Sequence, residues 1–233
     1  MLLLGPNRLN LLPRAARSAA QRCYRLALNL DSWWVRRAVR NAAGSGSVSV
    51  TTYTNRWELA ALYKLAVTAP SGAVAVEIGS HLGASACYMA AGLRAVGGTL
   101  TCIDTWNNDA MGREPQADTF AAFTANTIQL ASSIKMVRKN SIDLTDGDLP
   151  TAIDLGFIDG DHSYHGASTD FRALAPRVKA GGVLAFHDSV GVDGVCRVIG
   201  EALVTGEWVL AGQVLSLTWL RKSSKNSFVE NVE

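Results

Sequence analysis

Residues 76–85 read Val76-Glu77-Ile78-Gly79-Ser80-His81-Leu82-Gly83-Ala84-Ser85. An apolar run from Ala73 ends at the acid, turns on Gly79 and opens a run of small residues at Gly83. This is a strand, a turn and a helix start in ten residues. A glycine allows the tight turn, and a second lets a ligand approach the helix N-terminus, where free N–H groups point outward. The shape is that of a nucleotide-type cofactor site. Its E-x-G-x-x-x-G spacing differs from the G-x-G-x-x-G of dinucleotide binders and points away from NAD.

Working outward, apolar runs and amphipathic runs alternate. Strands are expected over 73–78, 100–104, 134–137, 152–158 and 183–186, with two late ones over 208–210 and 214–220. Helices are expected from Asn55 as N-cap, and over 83–96, 118–130, 167–178 and 195–203. Gly97-Gly98 stops one helix, and Gly181-Gly182 forms the exit turn of another. Strands alternating with helices across short turns imply an α/β fold. It is a doubly wound, mostly parallel seven-stranded Rossmann-like sheet. The last two strands, with no helix between them, form a terminal antiparallel hairpin. Ligands in such sheets bind beyond the carboxyl ends of the strands.

The chain has 233 residues, 48% of them hydrophobic and 18% charged, which suits one well-packed domain with appendages. A net charge of +2 is too small for a nucleic-acid binder. The distribution says more. Residues 1–45 hold Arg8, Arg14, Arg17, Arg22, Arg25, Arg36, Arg37 and Arg40 against one acid, Asp31. We divide the chain into a basic helical extension, 1–45, and a main α/β domain, 46–233. Residues 9–39 read as one or two amphipathic helices, broken at Pro13 and at Asp31-Ser32, with Gly44 to Ser47 as a hinge. Three uses of the extension stay open: a cap or oligomer arm, a membrane-surface or acidic-partner helix, and a mobile arm. No apolar run approaches the ~20 residues of a membrane span. Four scattered cysteines without C-x-x-C spacing suit reduced thiols and a cytoplasmic setting.

The chemistry sits where strands end. The second strand ends at Asp104, placed to accept from both hydroxyls of a ribose. Asn140-Ser141 follows the third. The fourth ends in Ile158-Asp159-Gly160-Asp161-His162 and the fifth in Phe186-His187-Asp188. Two carboxylates converging on one crevice repel unless a cation lies between them. Mg²⁺ takes one or two carboxylates and leaves places for water or substrate oxygens. A histidine beside it is suited to remove a proton near neutral pH.

EIGSHLGAS, CIDTW, IDGDHSYHGASTDF and GGVLAFHDS together resemble the class I S-adenosylmethionine-dependent methyltransferases. More narrowly they are similar to the small metal-assisted O-methyltransferases that include macrolide-sugar methyltransferases and cephalosporin-hydroxylase-like proteins. The resemblance spans roughly residues 55–220. It implies that Glu77, Gly79, Ser80, Gly83 and Ser85 line the methionine and ribose part of S-adenosylmethionine. Asp104 would hold the ribose with Trp106 nearby, and Asn140, Ser141 and Ile142 would flank the adenine. Asp159 and Asp188 match metal-ligand positions, with His187 where relatives carry an acid, and Mg²⁺ is the implied ion. His162 matches the general base. The implied reaction is methyl transfer to a hydroxyl of a sugar or glycan-like acceptor. A catechol or other phenol is the alternative acceptor, and a non-catalytic S-adenosylmethionine-binding protein the alternative class. The loop over 106–116 is expected to close over the site, and a homo-oligomer is expected by analogy with relatives.

Overall fold

The structure is a computed structural model describing residues 14–108 and 117–224, with side chains from residue 20 onward. Most of the expected closing loop, 109–116, lies outside the described residues. Helix α1 covers Arg14–Ala43 and α2 covers Arg56–Val67. They are followed by β1 (Val74–Ile78), α3 (Ala84–Ala95), β2 (Thr99–Asp104), α4 (Phe120–Thr127) and β3 (Ile134–Arg138). The second half runs β4 (Ile153–Ile158), α5 (Tyr164–Leu174), β5 (Val178–Phe186), α6 (Asp193–Val204), β6 (Trp208–Val214) and β7 (Leu217–Lys222).

The seven strands form one sheet in the order β3-β2-β1-β4-β5-β7-β6. Pairs among β1 to β5 are parallel, while β7 runs antiparallel to both β5 and β6. This is the expected doubly wound sheet with its terminal hairpin. The strand order reverses between β1 and β4, and that switch point opens a crevice at their carboxyl ends. One face is covered by α1, α2, α3 and α4 around Leu62, Met89, Leu93 and Phe123; the other by α5 and α6 around Leu174, Leu184 and Val198. Strands buried on both faces explain the near-continuous apolar runs of β1 and β4.

Several local expectations are corrected. Helix α1 passes through Asp31-Ser32 without a break, because Ser32 is buried in its packed face with Val35 and Val39. Gly44 to Ser47 is no free hinge. Its second half is a short 3₁₀ turn in which buried Ser47 donates its hydroxyl to the Ala43 carbonyl at 2.7 Å. Helix α5 begins at Tyr164, since Ser163 caps it by accepting from the Gly166 N–H at 3.0 Å. It ends at Leu174, ahead of Pro176, which cannot continue a helix. Gly181-Gly182 lies inside β5 at an irregularity in its register with β4, rather than in a turn before it.

Candidate active site

The site starts at the β1 turn. Gly79 has φ +88 and its N–H donates to the Ile103 carbonyl at 2.9 Å. A Cβ there would overlap the backbone carbonyl of Asp159, so glycine is required where the ends of β1 and β4 meet. Beneath the turn lies Glu77, fully buried, accepting from the Ser80 hydroxyl at 2.7 Å. Burial pushes its carboxyl up to about 7, against the opposing hydrogen bonds from Ser85, Ser80 and Cys102. At the end of β2, Asp104 accepts from the His81 N–H at 2.8 Å and from the Trp106 N–H at 2.6 Å. Two backbone donors thus fix the carboxylate, and its remaining lone pairs face the cleft.

The ends of β4 and β5 carry a second cluster. Asp159 and His187 are set by adjoining backbone bonds, Asp159 N–H to the Ile78 carbonyl and His187 N–H to the Ile158 carbonyl. His187 is buried among three acids. Its Nδ1 is 3.1 Å from Asp159 Oδ1 and 3.4 Å from Asp188 Oδ2, and its Nε2 is 3.2 Å from Glu58 Oε2. Burial would lower its pKa, but hydrogen bonds to Asp159, Asp188 and Glu58 outweigh that and push it up to about 12. Both ring nitrogens of His187 thus face carboxylates, Nδ1 those of Asp159 and Asp188 and Nε2 that of Glu58. It contacts both aspartates from the buried side of the cluster. Its hydrogen bond in turn lowers the Asp188 carboxyl.

His162 faces the same carboxylates from the open side. Its Nε2 is 3.3 Å from Asp188 Oδ2 and 3.6 Å from Asp159 Oδ1, shielded from solvent and without a hydrogen-bond partner. Its pKa is raised, chiefly by Asp159. Ligand atoms of Asp159, His162 and Asp188 all lie within 4.8 Å of one another. Two convergent carboxylates form a donor pair that fits a divalent cation, and the imidazole nitrogen beside them is placed to take a proton. Strain is concentrated here as well. Four non-glycine residues with positive φ, His81, Trp106, Asn108 and Asp188, lie in or beside the cleft.

A cleft of about 610 Å³ joins the two clusters. Of the residues expected from sequence, it is lined by Gly79, Ser80, Ser85, Asp104, Asn140, Ser141, Asp159, His162, His187 and Asp188. Four others do not reach it. Glu77 supports the turn from below, and Gly83 packs α3 against Thr127 and Phe123 of α4. The Trp106 ring is fully buried against Phe120 and Phe123, so only its backbone serves the site. The Ile142 side chain is exposed outside the cleft, while its N–H donates to Asn140.

Sequence reasoning missed a cleft wall, Thr51 to Thr54, and Glu58 behind it. Glu58 closes a capping box with Asn55, and its other oxygen accepts from the N–H and hydroxyl of Ser216 at 2.8 Å. The N-x-x-E spacing announces the capping box. Nothing local announces His187, 129 positions away, as a partner.

A seven-stranded sheet in which β7 runs antiparallel between β5 and β6 is the fold shared with solved methyltransferase structures. Residues 76–189, just under half of the chain, match the family model described as a methyltransferase domain. Solved structures agree on the fold. The O-methyltransferase NovP is 13% identical with a TM-score of 0.59, over 83% of this chain and 100% of that one. The methyltransferase PaMTH1 of Podospora anserina, bound to SAH, is 14% identical with a TM-score of 0.58, over 96% and 99%. CalS11, a TDP-rhamnose 3'-O-methyltransferase, is 18% identical with a TM-score of 0.51, over 70% and 76%. Among curated proteins, the uncharacterized protein y4gI of Sinorhizobium fredii is 27% identical over 116 residues. That match spans 49% of this chain and 13% of the relative.

Proposed function

We propose that this methyltransferase transfers the methyl group of S-adenosylmethionine to a hydroxyl of a sugar or glycan-like acceptor. The observation that carries the reading is the Nε2 of His162, set 3.6 Å from Asp159 and 3.3 Å from Asp188 in the cleft that holds the β1 turn. Gly79, Ser80 and Asp104 bind the cofactor, with Asn140 and Ser141 beside the adenine. His162 accepts the acceptor's proton. The acceptor oxygen then uses a lone pair to bond the methyl carbon as the carbon–sulfur bond breaks, its electron pair staying on sulfur. The products are a methyl ether and S-adenosylhomocysteine, and the proton stays on His162 beside two carboxylates that favour its charged form. Alignment of oxygen, carbon and sulfur supplies much of the rate, because the sulfonium arrives activated.

Asp159 and Asp188 would hold a divalent cation, which when bound makes a coordinated hydroxyl more acidic. The polar character of the acceptor side supports a polyol. Thr51, Thr52 and Thr54 line the cleft wall beside Tyr53. CalS11, named for methylation of a sugar hydroxyl, shares the fold.

The test is S-adenosylhomocysteine release from S-adenosylmethionine with nucleotide sugars and glycosides on one side and catechols on the other, with Mg²⁺ and with EDTA. Turnover with sugars, lost in His162→Ala, supports the reading. Turnover with catechols alone overturns the acceptor, and unchanged rates in EDTA overturn the metal.

A further inference from the structure

Helix α1 packs one face on α2 and α3 through Val35, Val39 and Ala43, which are at most 5% exposed. The opposite face is apolar and open. Leu26, Leu30, Trp33 and Trp34 stand at i, i+4, i+7 and i+8, one stripe of a helix, and are 54–62% exposed. The two tryptophans meet edge to face with ring centroids 4.8 Å apart, and the Arg37 guanidinium lies 6.0 Å over the Trp33 ring.

The charge beside the stripe is one-signed. Arg22, Arg25, Arg36 and Arg40 are exposed along one flank of it. The single acid of the helix, Asp31, lies on the other side and is paired with Lys64 at 2.5 Å. An apolar stripe with tryptophans, edged by arginines, is the pattern of a helix lying in a membrane interface. A second copy of the chain fits less well. Two such faces meeting antiparallel about a twofold axis would bring arginine rows of like sign together.

We infer that the exposed face of α1 docks on an anionic lipid surface. Leu26, Leu30, Trp33 and Trp34 enter the headgroup level, and the flanking arginines meet lipid phosphates. The helix is also tied to the cleft. Asn29 Oδ1 accepts from Arg56 Nη2 at 2.6 Å and from Trp57 Nε1 at 3.2 Å, directly after the wall formed by Thr51 to Thr54. Docking along α1 would hold that wall near the lipid surface.

The test is co-sedimentation of the full chain with vesicles of phosphatidylcholine alone and of phosphatidylcholine mixed with phosphatidylglycerol. Binding should be at least ~10-fold stronger to the anionic vesicles and should weaken as salt is raised. The double variants Trp33→Ser/Trp34→Ser and Arg22→Glu/Arg25→Glu should each lose about 10-fold while circular dichroism stays unchanged. All four positions are exposed, so folding is not at issue. A chain that stays in the supernatant with both vesicles overturns the inference, as does equal binding to both. So does light scattering that finds a dimer which Trp33→Ser/Trp34→Ser converts to a monomer, since the stripe would then be a self-association surface.

Discussion

His162 is asked to take a proton, and its surroundings set when it can. In the cation-free cleft Asp159 raises its pKa, and a charged imidazole is idle as a base. The rate should therefore rise with pH through one inflection and reach a plateau once the ring is neutral. Replacing His162 with Ala should cost on the order of 10²–10⁴-fold in rate and abolish that inflection. Calorimetry should find its affinity for S-adenosylmethionine nearly unchanged; lost affinity would remove His162 from the role of base. Asp104 predicts the reverse. Its carboxylate is held by two backbone N–H groups at the edge of the cleft, with acceptor capacity to spare. Asp104→Ala should weaken S-adenosylmethionine binding by roughly 10–100-fold, the worth of one charged hydrogen bond. An unchanged dissociation constant would rule out its ribose role.

Elements bring these side chains together, and glycine and capping decide how closely. At Gly79 the end of β1 lies directly against the Asp159 carbonyl, in a left-handed conformation. Gly79→Ala must push β1 and β4 apart, at a cost of at least about 2 kcal/mol. Denaturant midpoints should fall, and S-adenosylmethionine binding should fail with them; a variant with wild-type midpoint and affinity would show that the strand ends can part freely. Helix α2 makes the opposite contribution by delivering Glu58. One carboxylate caps the helix, holds His187 and anchors Ser216 ahead of β7. Glu58→Ala should cost about 2–4 kcal/mol, adding a lost cap to a lost charged hydrogen bond. Most element types were readable because hydrophobic period and glycine punctuation are local signals. The exceptions share a physical cause. Asp31-Ser32 resembles a helix break until Ser32 is buried by packing, and Gly181-Gly182 resembles a turn until β4 draws it into a strand. Tertiary context overrode local preference in both.

Over the whole molecule, the residues that end strands were legible, since a doubly wound sheet gathers strand ends whatever their separation in sequence. Their supports were not. Glu58 behind His187 and the wall from Thr51 to Thr54 depend on how α2 lies across the sheet, which no short motif encodes. Glu77 belongs with them. Its place in the motif suggested a cofactor contact, yet the fold closes over it and makes it a term in global stability. Unfolded, this carboxyl titrates near its ordinary 4.5; folded and dry, it titrates at about 7. The folded chain thus holds the proton more tightly. The stabilising contribution is complete below pH 4.5, declines as pH rises and is gone above about 7. The difference corresponds to about 3 kcal/mol. Glu77→Gln stays neutral at every pH and can still accept from Ser80. Its stability relative to the native chain should therefore be greater at pH 8 than at pH 5, by up to that amount. Because the comparison is between two chains that share His187 and every other titrating group, those contributions cancel. Urea midpoints at the two pH values measure it directly. A difference that stays constant from pH 5 to 8 would mean that Glu77 keeps its charge inside the fold, compensated by Ser80, Ser85 and Cys102.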